Sequence, residues 1–385
     1  MSYKRLFAAL LLALSVSVVN AQTEVSAAPD PDKEAKQEKK GFNATEVIFG
    51  HISDSHEWHL FSTRHADGTE SPVSLPLPVI IYAPGKGLSV FSAAHFENFH
   101  EVEAGDKKIR VSDSYNGYHL ERGMKEKLVA DDGSKVYDFS LTKNILSMLV
   151  GVVLLLWLMM AAAKKYTAKG TMTAPSGFQN FLEVVIIFMR DEVVKPNLGR
   201  NYKRYMPLIL TIFFFIWINN MLGLLPGGAN FTGNITVTLC LAIVSFIVMM
   251  AKSNKHFWGH LFNPPNVPLG IKFLLVPIEI MSMFIKPIAL TIRLFANMLA
   301  GHIVILSVIS MIFIFGTLNK WIGVGFVPVS LAFSVFMFML ELLVAAIQAF
   351  IFANLTAVFI GQAIEENHSN ETGQEYHVNE NEIIA

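Results

Sequence analysis

Between residues 143 and 364 the chain is apolar enough to contain five segments that can cross a lipid bilayer, and this limits the possible folds more than any other feature. The segments cover residues 144–163, 205–225, 236–251, 271–317 and 322–364. Because lipid leaves no partner for an unpaired backbone group, each segment is predicted to be a helix. Charged residues make up only 16% of the chain, whereas soluble domains contain about 25%. The predicted fold is an all-α polytopic membrane protein.

Basic residues beside three of the segments predict the orientation. The first segment is followed by Lys164, Lys165 and Lys169, and the third by Lys252 and Lys255. The second is preceded by Arg200, Lys203 and Arg204. Lysine and arginine concentrate on the cytoplasmic side of membrane spans. The connection 226–233 carries no charge, as expected of an outer loop. The chain is therefore predicted to enter the membrane from outside and to end in the cytoplasm with an acidic tail, 366–385.

The last two segments are each about twice as long as an upright span requires. Either each helix is steeply tilted, which we favour, or Pro277 and Pro287 break the first of them into shorter pieces. Segment 177–195 is predicted to be an interfacial helix on the cytoplasmic surface, with a partly buried helix as the alternative. Its apolar stripe consists of Phe178, Phe181, Leu182, Val185, Phe188 and Met189.

Residues 1–21 have the organisation of a signal peptide. Lys4 and Arg5 precede a short apolar stretch, and the small-residue sequence ending at Ala21 suits a cleavage site. The alternative, a first membrane helix, is disfavoured because the apolar stretch is too short. We therefore expect the mature chain to begin outside the cytoplasm.

Residues 22–137 are predicted to be an exported soluble domain, followed by the membrane region at 138–365. The charged stretch 30–40 is expected to be disordered. Patterns typical of strands at 75–82 and 88–91 predict a small domain that contains β-structure.

Seven of the twelve histidines lie in this predicted exported domain: His51, His56, His59, His65, His95, His100 and His119. A metal-binding surface is one interpretation, because His56 and His59 would share one face if they lay on a helix. We favour the other, a solvated polar surface, because the histidines lack ligand spacing. The single cysteine, Cys240, excludes an internal disulfide and a cysteine-rich zinc site. No metal or cofactor is expected.

Four charged residues lie inside the last two apolar segments: Glu279, Lys286, Arg293 and Glu341. Each costs about 2.5–3.5 kcal/mol or more at the centre of a membrane, so such residues are paired or functional. The first three are seven residues apart and share one helical face, together with Ser282 and Asn297. The last segment repeats this pattern with Ser334, Glu341, Gln348 and Gln362.

Helical geometry predicts which of these residues meet. If Gln348 lies level with Arg293 on an antiparallel neighbour, His302 and Glu341 come to a similar depth, nearer the outside. His302 points away from Arg293 around its helix. A histidine beside a carboxylate suits proton relay, whereas Arg293 stays charged and can only attract a carboxylate that passes it. Alternatively Arg293 is a structural lock paired with Glu279 or Glu341, and the residues alone leave both possibilities open.

The predicted helix 271–317 contains three motifs: Pro277-Ile278-Glu279, Lys286-Pro287, and the run from Arg293 to His302, RLFANMLAGH. These motifs resemble subunit a of F-type ATP synthases. The stretch from Gln348 to Phe352 and the one from Asn234 to Leu239 resemble further signatures of that family. The resemblance covers about residues 138–365.

The resemblance implies a stator of the Fo sector whose two long helices face a rotating ring of c subunits. It assigns Arg293 as the essential arginine beside the ring carboxylate, Asn297 and Gln348 to the ring contact, and His302 and Glu341 to the proton relay of the outer half-channel. It places Glu279 and Ser282 in the exit half-channel and Asn234, where some members have an acid, at the channel mouth.

The implied partners are the c ring, the subunit b peripheral stalk, the remaining F1Fo subunits and membrane lipid, in a bacterial inner membrane. No nucleic acid is expected, and the chain has no GxxxxGK[ST] run for a nucleotide. The exported domain departs from short family members.

Two other classes of function predict different features. A secondary transporter or metal permease would be expected to contain repeated halves with broken helices, which the sequence lacks. A structural membrane anchor predicts that Arg293, His302 and Glu341 can all be replaced by apolar residues without loss.

Overall fold

The computed structural model describes residues 44–64, 70–96, 98–104, 107–122, 126–169, 177–225, 228–264 and 268–364. The predicted signal peptide, the charged stretch 30–40 and the acidic tail 366–385 lie outside these residues.

The described part of the N-terminal region is a β-domain that begins with helix α1, Ala44–Ile52. Its strands are β1 Glu57–Arg64, β2 Glu70–Pro76, β3 Pro78–Ala83, β4 Gly87–Ser92, β5 His100–Ala104, β6 Lys107–Val111, β7 Tyr118–Arg122, β8 Glu126–Ala130 and β9 Tyr137–Asp138. They form three antiparallel sheets in the orders β1-β2, β4-β3-β9 and β5-β6-β7-β8. Val79, Ile81 and Ala83 alternate along β3 and are fully buried with Tyr118 and Leu120, so these residues form the core of the domain.

The predicted strand 75–82 is wrong as a single element, because the chain leaves one sheet and joins another at Leu77. Pro76 and Pro78 flank this residue and cannot donate to a continuous ladder. The Leu77 N–H instead donates to His56 O (3.1 Å). The second predicted strand is confirmed as β4, and Gly85 in the preceding turn has φ +98°, which favours glycine.

The expected helical face that His56 and His59 would share does not exist. His56 lies just before β1 and is 3% exposed, whereas His59 lies within β1 and is exposed. The chain is extended here, and neighbouring sheet contacts, not a helical period, decide which side chain is buried. No group of three histidine, cysteine, aspartate or glutamate residues suited to a metal ion occurs in the described part of the chain.

The membrane region contains eight helices among the described residues. They are α2 Lys143–Lys169, α3 Phe178–Phe188, α4 Lys195–Leu198, α5 Tyr202–Gly223, α6 Ile235–Lys252, α7 Lys255–Phe262, α8 Leu269–Leu318 and α9 Lys320–Ile364. Helices α2, α6, α8 and α9 contain four of the five predicted apolar segments, and α5 contains the segment 205–225 up to its end at Gly223. The described chain thus has five helical segments long and apolar enough to cross a membrane, and the fold class is confirmed.

Helices α8 and α9 are continuous over 50 and 45 residues. Pro277 and Pro287 lie inside α8 without ending it, so the alternative of a broken helix is wrong. At 1.5 Å per residue α8 rises by about 75 Å, and the hydrocarbon core is only about 30 Å thick. A continuous helix of this length must tilt or curve. The two helices pack side by side as a hairpin, where a Cβ on Gly323 would lie 2.6 Å from Gly316 Cα.

The predicted interfacial segment is a composite element. Helix α3 continues as a π-helix, Met189–Val194, before α4. The expected stripe does not form one face, because Leu182 and Met189 are buried while Phe178 and Phe181 are exposed. Leu182 and Met189, seven residues apart, pack into the core of the membrane region, so only these two members of the stripe are buried. The partly buried alternative describes this segment better.

The core of the membrane region lies where α5, α8 and α9 meet. Ile209, Ile216, Leu294, Met298 and Phe352 are at most 1% exposed. Helix α9 presents one alanine per turn to this core: Ala345, Ala349, Ala353 and Ala357, all fully buried. Small side chains allow helix backbones to approach closely in lipid, so this stretch of α9 can pack tightly in the core that α5 and α8 share with it.

Candidate functional site

The structure brings His302 of α8 and Glu341 of α9 into contact. His302 Nδ1 lies 2.7 Å from Glu341 Oε1, and their side chains are 15% and 4% exposed. The ring also lies 3.0 Å from two backbone oxygens, Nδ1 from Met298 O and Nε2 from Gly223 O at the end of α5. Because both ring nitrogens face oxygen acceptors, the pocket can hold a histidine that carries a proton on each nitrogen.

Gly301 makes this contact possible. A Cβ at position 301 would lie 2.6 Å from Glu341 Oε1, which is too close for any other residue without a shift of the carboxylate. Apart from the contact with His302, neither Glu341 oxygen has a hydrogen-bond partner among the described residues. The buried carboxylate therefore keeps capacity to accept a further hydrogen bond or a proton.

A layer of buried polar side chains adjoins the pair on the side of the β-domain. Thr232 Oγ1 donates to Asn220 Oδ1 (2.7 Å), and Asn220 Nδ2 donates to Ala345 O (3.1 Å), one helical turn from Glu341. Asn230 Nδ2 donates to Met298 O (3.3 Å), the carbonyl that His302 also contacts. These contacts form a polar connection through an otherwise apolar core.

Sequence reasoning missed this layer. The signal that could have found it is the pair Asn219-Asn220 inside the apolar helix α5, where both side chains are fully buried. Thr232 lies within a short 3₁₀ turn, Phe231–Gly233, and Asn230 directly precedes this turn. Nothing in their local sequence indicates that this turn folds back onto α8.

Arg293 lies on a different face of α8 from the core. Its side chain is exposed, whereas the next residue, Leu294, is 1% exposed. Arg293 forms no ion pair with Glu279, Glu341 or any other described residue. The alternative of a structural lock therefore has no support in the described part of the chain.

The register of α8 and α9 sets the level of Gln348. Ser330 Oγ donates to Val308 O (2.8 Å), and Lys286 Nζ donates to Gln362 Oε1 (3.1 Å). Between these two contacts Gly301 touches Glu341. Counting eight residues from each along the antiparallel pair brings Arg293 to within one residue of the level of Gln348, which is 6% exposed, close to the register assumed in the helical argument above.

The exposed surface around Arg293 is apolar. Asn297 is exposed one turn along α8. The neighbouring exposed apolar residues of α8 and α9 include Ile288, Ile292, Leu340, Leu343 and Ile347. An unpaired cation on such a surface is costly in lipid, so the surface is suited to a partner that supplies an anion.

The other predicted site residues lie apart from the His302–Glu341 pair. Glu279 and Ser282 are half-buried on α8, on the far side of Arg293 from His302. Asn234 caps α6, where its Oδ1 accepts a hydrogen bond from the Thr236 N–H (3.0 Å). None of the three forms a hydrogen bond with His302 or Glu341 among the described residues.

Comparison with known families assigns the membrane region. The family model described as ATP synthase A chain matches residues 145–361, more than half of the chain. The chain belongs to this family. A second model, a domain of unknown function (DUF8433), matches residues 47–144, which include most of the described β-domain.

Relatives agree with the assignment. The chain is 43% identical over 241 residues to an ATP synthase subunit a of Chloroherpeton thalassium, covering 61% of this chain and 70% of the relative. It is 37% identical over 318 residues to an ATP synthase subunit a 2 of Prosthecochloris aestuarii, covering 78% and 93%. A subunit a of Anaeromyxobacter dehalogenans is 36% identical over 243 residues, 61% of each chain.

Membership in the ATP synthase A chain family makes the chain a multi-pass membrane subunit of a proton-transporting ATP synthase, with a stator role in its Fo sector. The five apolar helices agree with that assignment. The remaining F1Fo subunits are therefore its partners.

Proposed function

We propose that this subunit provides two offset proton half-channels and that Arg293 couples them to rotation of the c ring. The observation that carries the proposal is the placement of the two charged sites. His302 and Glu341 are buried in contact with each other, while Arg293 is exposed and unpaired among the described residues. A proton-exchanging pair and a fixed cation on separate faces are what such coupling requires.

In the proposed outer half-channel, a proton from outside reaches His302 and Glu341 and passes to a carboxylate on the ring. Histidine titrates near neutral pH, and a neighbouring carboxylate can accept its proton. Once neutral, the ring carboxyl can face lipid, which disfavours its charged form. The ring can then turn away from Arg293.

In the proposed exit half-channel, the ring carboxyl loses its proton near Glu279 and Ser282 after almost a full turn. The resulting carboxylate is attracted to Arg293, which keeps its charge at any physiological pH. A fixed cation between the two paths also prevents a direct proton leak. Asn297 and Gln348, near Arg293, contact the ring in this scheme, and Asn234 lies at the mouth of the outer half-channel.

The proposed setting is a bacterial inner membrane. Residues 1–21 are a signal peptide, residues 22–137 are periplasmic, and the tail 366–385 is cytoplasmic. Subunit b of the peripheral stalk holds the subunit against the torque of the ring. The subunit itself binds no nucleotide, and ATP chemistry takes place in the F1 subunits.

The test is ATP-driven proton pumping in inverted membrane vesicles that contain wild-type complex or Arg293→Ala at equal assembly. We expect pumping to be lost with an intact complex. Lys286→Ala is the matched control, since Lys286 is a cation on the same helix that already hydrogen-bonds to Gln362. This variant is expected to keep most of its pumping. Undiminished pumping by Arg293→Ala would reject the proposal and favour a structural anchor.

A further inference from the structure

A cleft of about 250 Å³ lies where the β-domain meets the first turns of α2 and α6. Its polar lining comes from both regions and comprises Asp54, Asp138, Ser140, Thr142, Asn144, Asn234 and Thr236. Two carboxylates that precede the first membrane helix in sequence thus lie beside the ends of two membrane helices.

Both carboxylates are held in place while part of their acceptor capacity stays free. Asp54 Oδ1 accepts hydrogen bonds from the backbone N–H groups of Ser55 (3.1 Å) and Asn144 (3.2 Å). Asp138 Oδ1 accepts from the Ser140 N–H (2.8 Å), and its Oδ2 lies 3.0 Å from His56 Nε2. The second oxygen of Asp54 receives no hydrogen bond from a described residue.

The charges around the cleft favour the ionised form of Asp138. Burial alone would raise the pKa of Asp138, but hydrogen bonds from His56 and Ser140 hold it below its usual range. Two basic side chains face the carboxylates: His56, which also contacts Glu126, and Lys143, which is 8% exposed and interacts electrostatically with Asp54. Near neutral pH Asp138 is therefore a carboxylate able to accept a proton.

Two buried polar atoms beside the cleft have no partner among the described residues. Asn144 is 4% exposed, and its Oδ1 has no hydrogen-bond partner among the described residues. The Thr142 hydroxyl, which also lines the cleft, is likewise without a partner there. Buried polar atoms are nearly always satisfied by protein or by ordered water, so a small opening of the cleft would let a water molecule bind to these two atoms.

The inner wall of the cleft adjoins the polar layer beside Glu341. Phe231 lines the cleft, and the next residue, Thr232, donates to Asn220. Asn220 in turn donates to Ala345 O, one turn from Glu341. One layer of polar side chains therefore separates the cleft from the His302–Glu341 pair.

We propose that this cleft is the outer mouth of the proton path and that Asp54 and Asp138 collect protons there for the His302–Glu341 pair. Each carboxylate takes a proton from external water and releases it to water inside the cleft, so neither group is consumed. The inference rests on the proposed function and gives the β-domain a part in it.

The test is ATP synthesis by the complete complex in proteoliposomes, driven by a constant proton-motive force while the pH on the β-domain side is varied. The double variant Asp54→Asn with Asp138→Asn keeps one side-chain acceptor at each position and removes both charges. Because charged mouths raise association rates by about tenfold or more, we expect a three- to tenfold lower rate at about pH 8. At about pH 5.5, where bulk protons are abundant, the wild-type rate should return.

Asp113→Asn is the matched control, since Asp113 is an exposed carboxylate of the same domain that pairs with Asn98 and His100. It should leave the profile unchanged. A double-variant profile identical to wild type, or a loss of equal size at every pH, overturns the inference. If either occurs while Arg293→Ala abolishes pumping, only this inference fails. If Arg293→Ala pumps normally, the proposed function fails.

Chemical labelling tests whether the cleft is open to external solvent, without changing either carboxylate. With Cys240 replaced by alanine, Thr236→Cys places a thiol on the cleft wall, and Leu239→Cys places one on the exposed apolar side of α6. A membrane-impermeant cationic thiol reagent added on the β-domain side should react at position 236, not at 239, and should slow ATP synthesis. No reaction at 236, or reaction without slowing, contradicts the inference.

Discussion

Among the described residues, His56 in the β-domain and His302 in the membrane region both face carboxylates with little exposure to solvent, and their surroundings differ. The His56 ring lies between Asp138 (3.0 Å) and Glu126 (3.5 Å), and the backbone N–H of His56 donates to Glu126 Oε2 (2.9 Å). Arg122 also pairs with Glu126 (3.0 Å). His302 faces one carboxylate, and the oxygens of Glu341 accept no other hydrogen bond from described residues.

The difference separates a network that stabilises a fold from a pair that can move a proton. Burial alone would lower the pKa of His56, but hydrogen bonds with Asp138 and Glu126 outweigh it and raise the pKa to about 9. His56 therefore stays charged near neutral pH, held between two carboxylates. The His302–Glu341 pair has unused acceptor capacity and adjoins a polar layer, so a proton can arrive and leave.

Glu341→Gln is expected to give the largest effect. The amide keeps the shape of the side chain but cannot exchange a proton, and loss of a positioned acid or base costs about 10²-fold or more. ATP-driven pumping at equal assembly should fall accordingly. Ser334→Ala, which changes another buried polar residue of α9, serves as the control. Pumping near the wild-type rate in Glu341→Gln would remove the distinction between the two histidines.

Gly301→Ala should produce the next largest loss of pumping. The added methyl group would lie 2.6 Å from Glu341 Oε1 and displace the carboxylate from His302. We expect about a tenfold reduction, because small misplacements of reacting groups are costly. Gly316→Ala, on the same helix with no heavy atom within 4 Å of the new Cβ, should be neutral. Equal rates for the two variants would show that the close contact does not matter for transport.

Asn220→Ala tests the polar layer and should slow pumping by a smaller factor, about threefold. Removing the amide leaves the Thr232 hydroxyl and Ala345 O without their partner, although a water molecule can partly replace it. The measurement is the pumping rate together with the amount of assembled complex. A loss of assembly without a change in rate per complex would make the layer purely structural.

His56→Gln should have the smallest effect on pumping, within about twofold at neutral pH, and should instead change the pH dependence of stability. A pKa of about 9 in the folded domain, against about 6.5 unfolded, corresponds to ~3 kcal/mol of stabilisation. This stabilisation is complete below about pH 6.5 and is lost as the pH rises through about 9. Protease resistance of the β-domain in right-side-out vesicles should show this loss in the wild type and not in the variant. A pH-independent wild type would contradict a charged His56.

Several features of the candidate site could be predicted from the sequence. The spacing from Arg293 to His302 and the spacing from Glu341 to Gln348 predict that His302 and Glu341 lie at a similar depth, because a continuous helix has a fixed rise and angular step. The exposed position of Arg293 could not be predicted this way. The helical repeat gives the face of α8 on which Arg293 lies, but whether a carboxylate of the same chain covers Arg293 depends on packing.

Other features required distant segments to meet. Pro76 and Pro78 are visible in the sequence, yet only the sheets show that β2 and β3 belong to different layers. The stripe predicted in segment 177–195 is buried only at Leu182 and Met189, because packing against the membrane core decides how wide the buried face is. The cleft brings Asp54 and Asp138 to Asn144 and Asn234, and no periodicity relates these positions.

The sequence by itself determined that the chain crosses a membrane in five helices, which of them are long, and which polar residues share a face. These properties follow from local rules, since lipid forces each segment to satisfy its own backbone and the helix repeats regularly. Only the tertiary structure decided that Glu341 is buried against His302 beside Gly301, that Asn220 connects them to a turn, and that the β-domain contributes carboxylates to a cleft. Such contacts depend on how side chains from distant segments fit together, and no local rule contains that information.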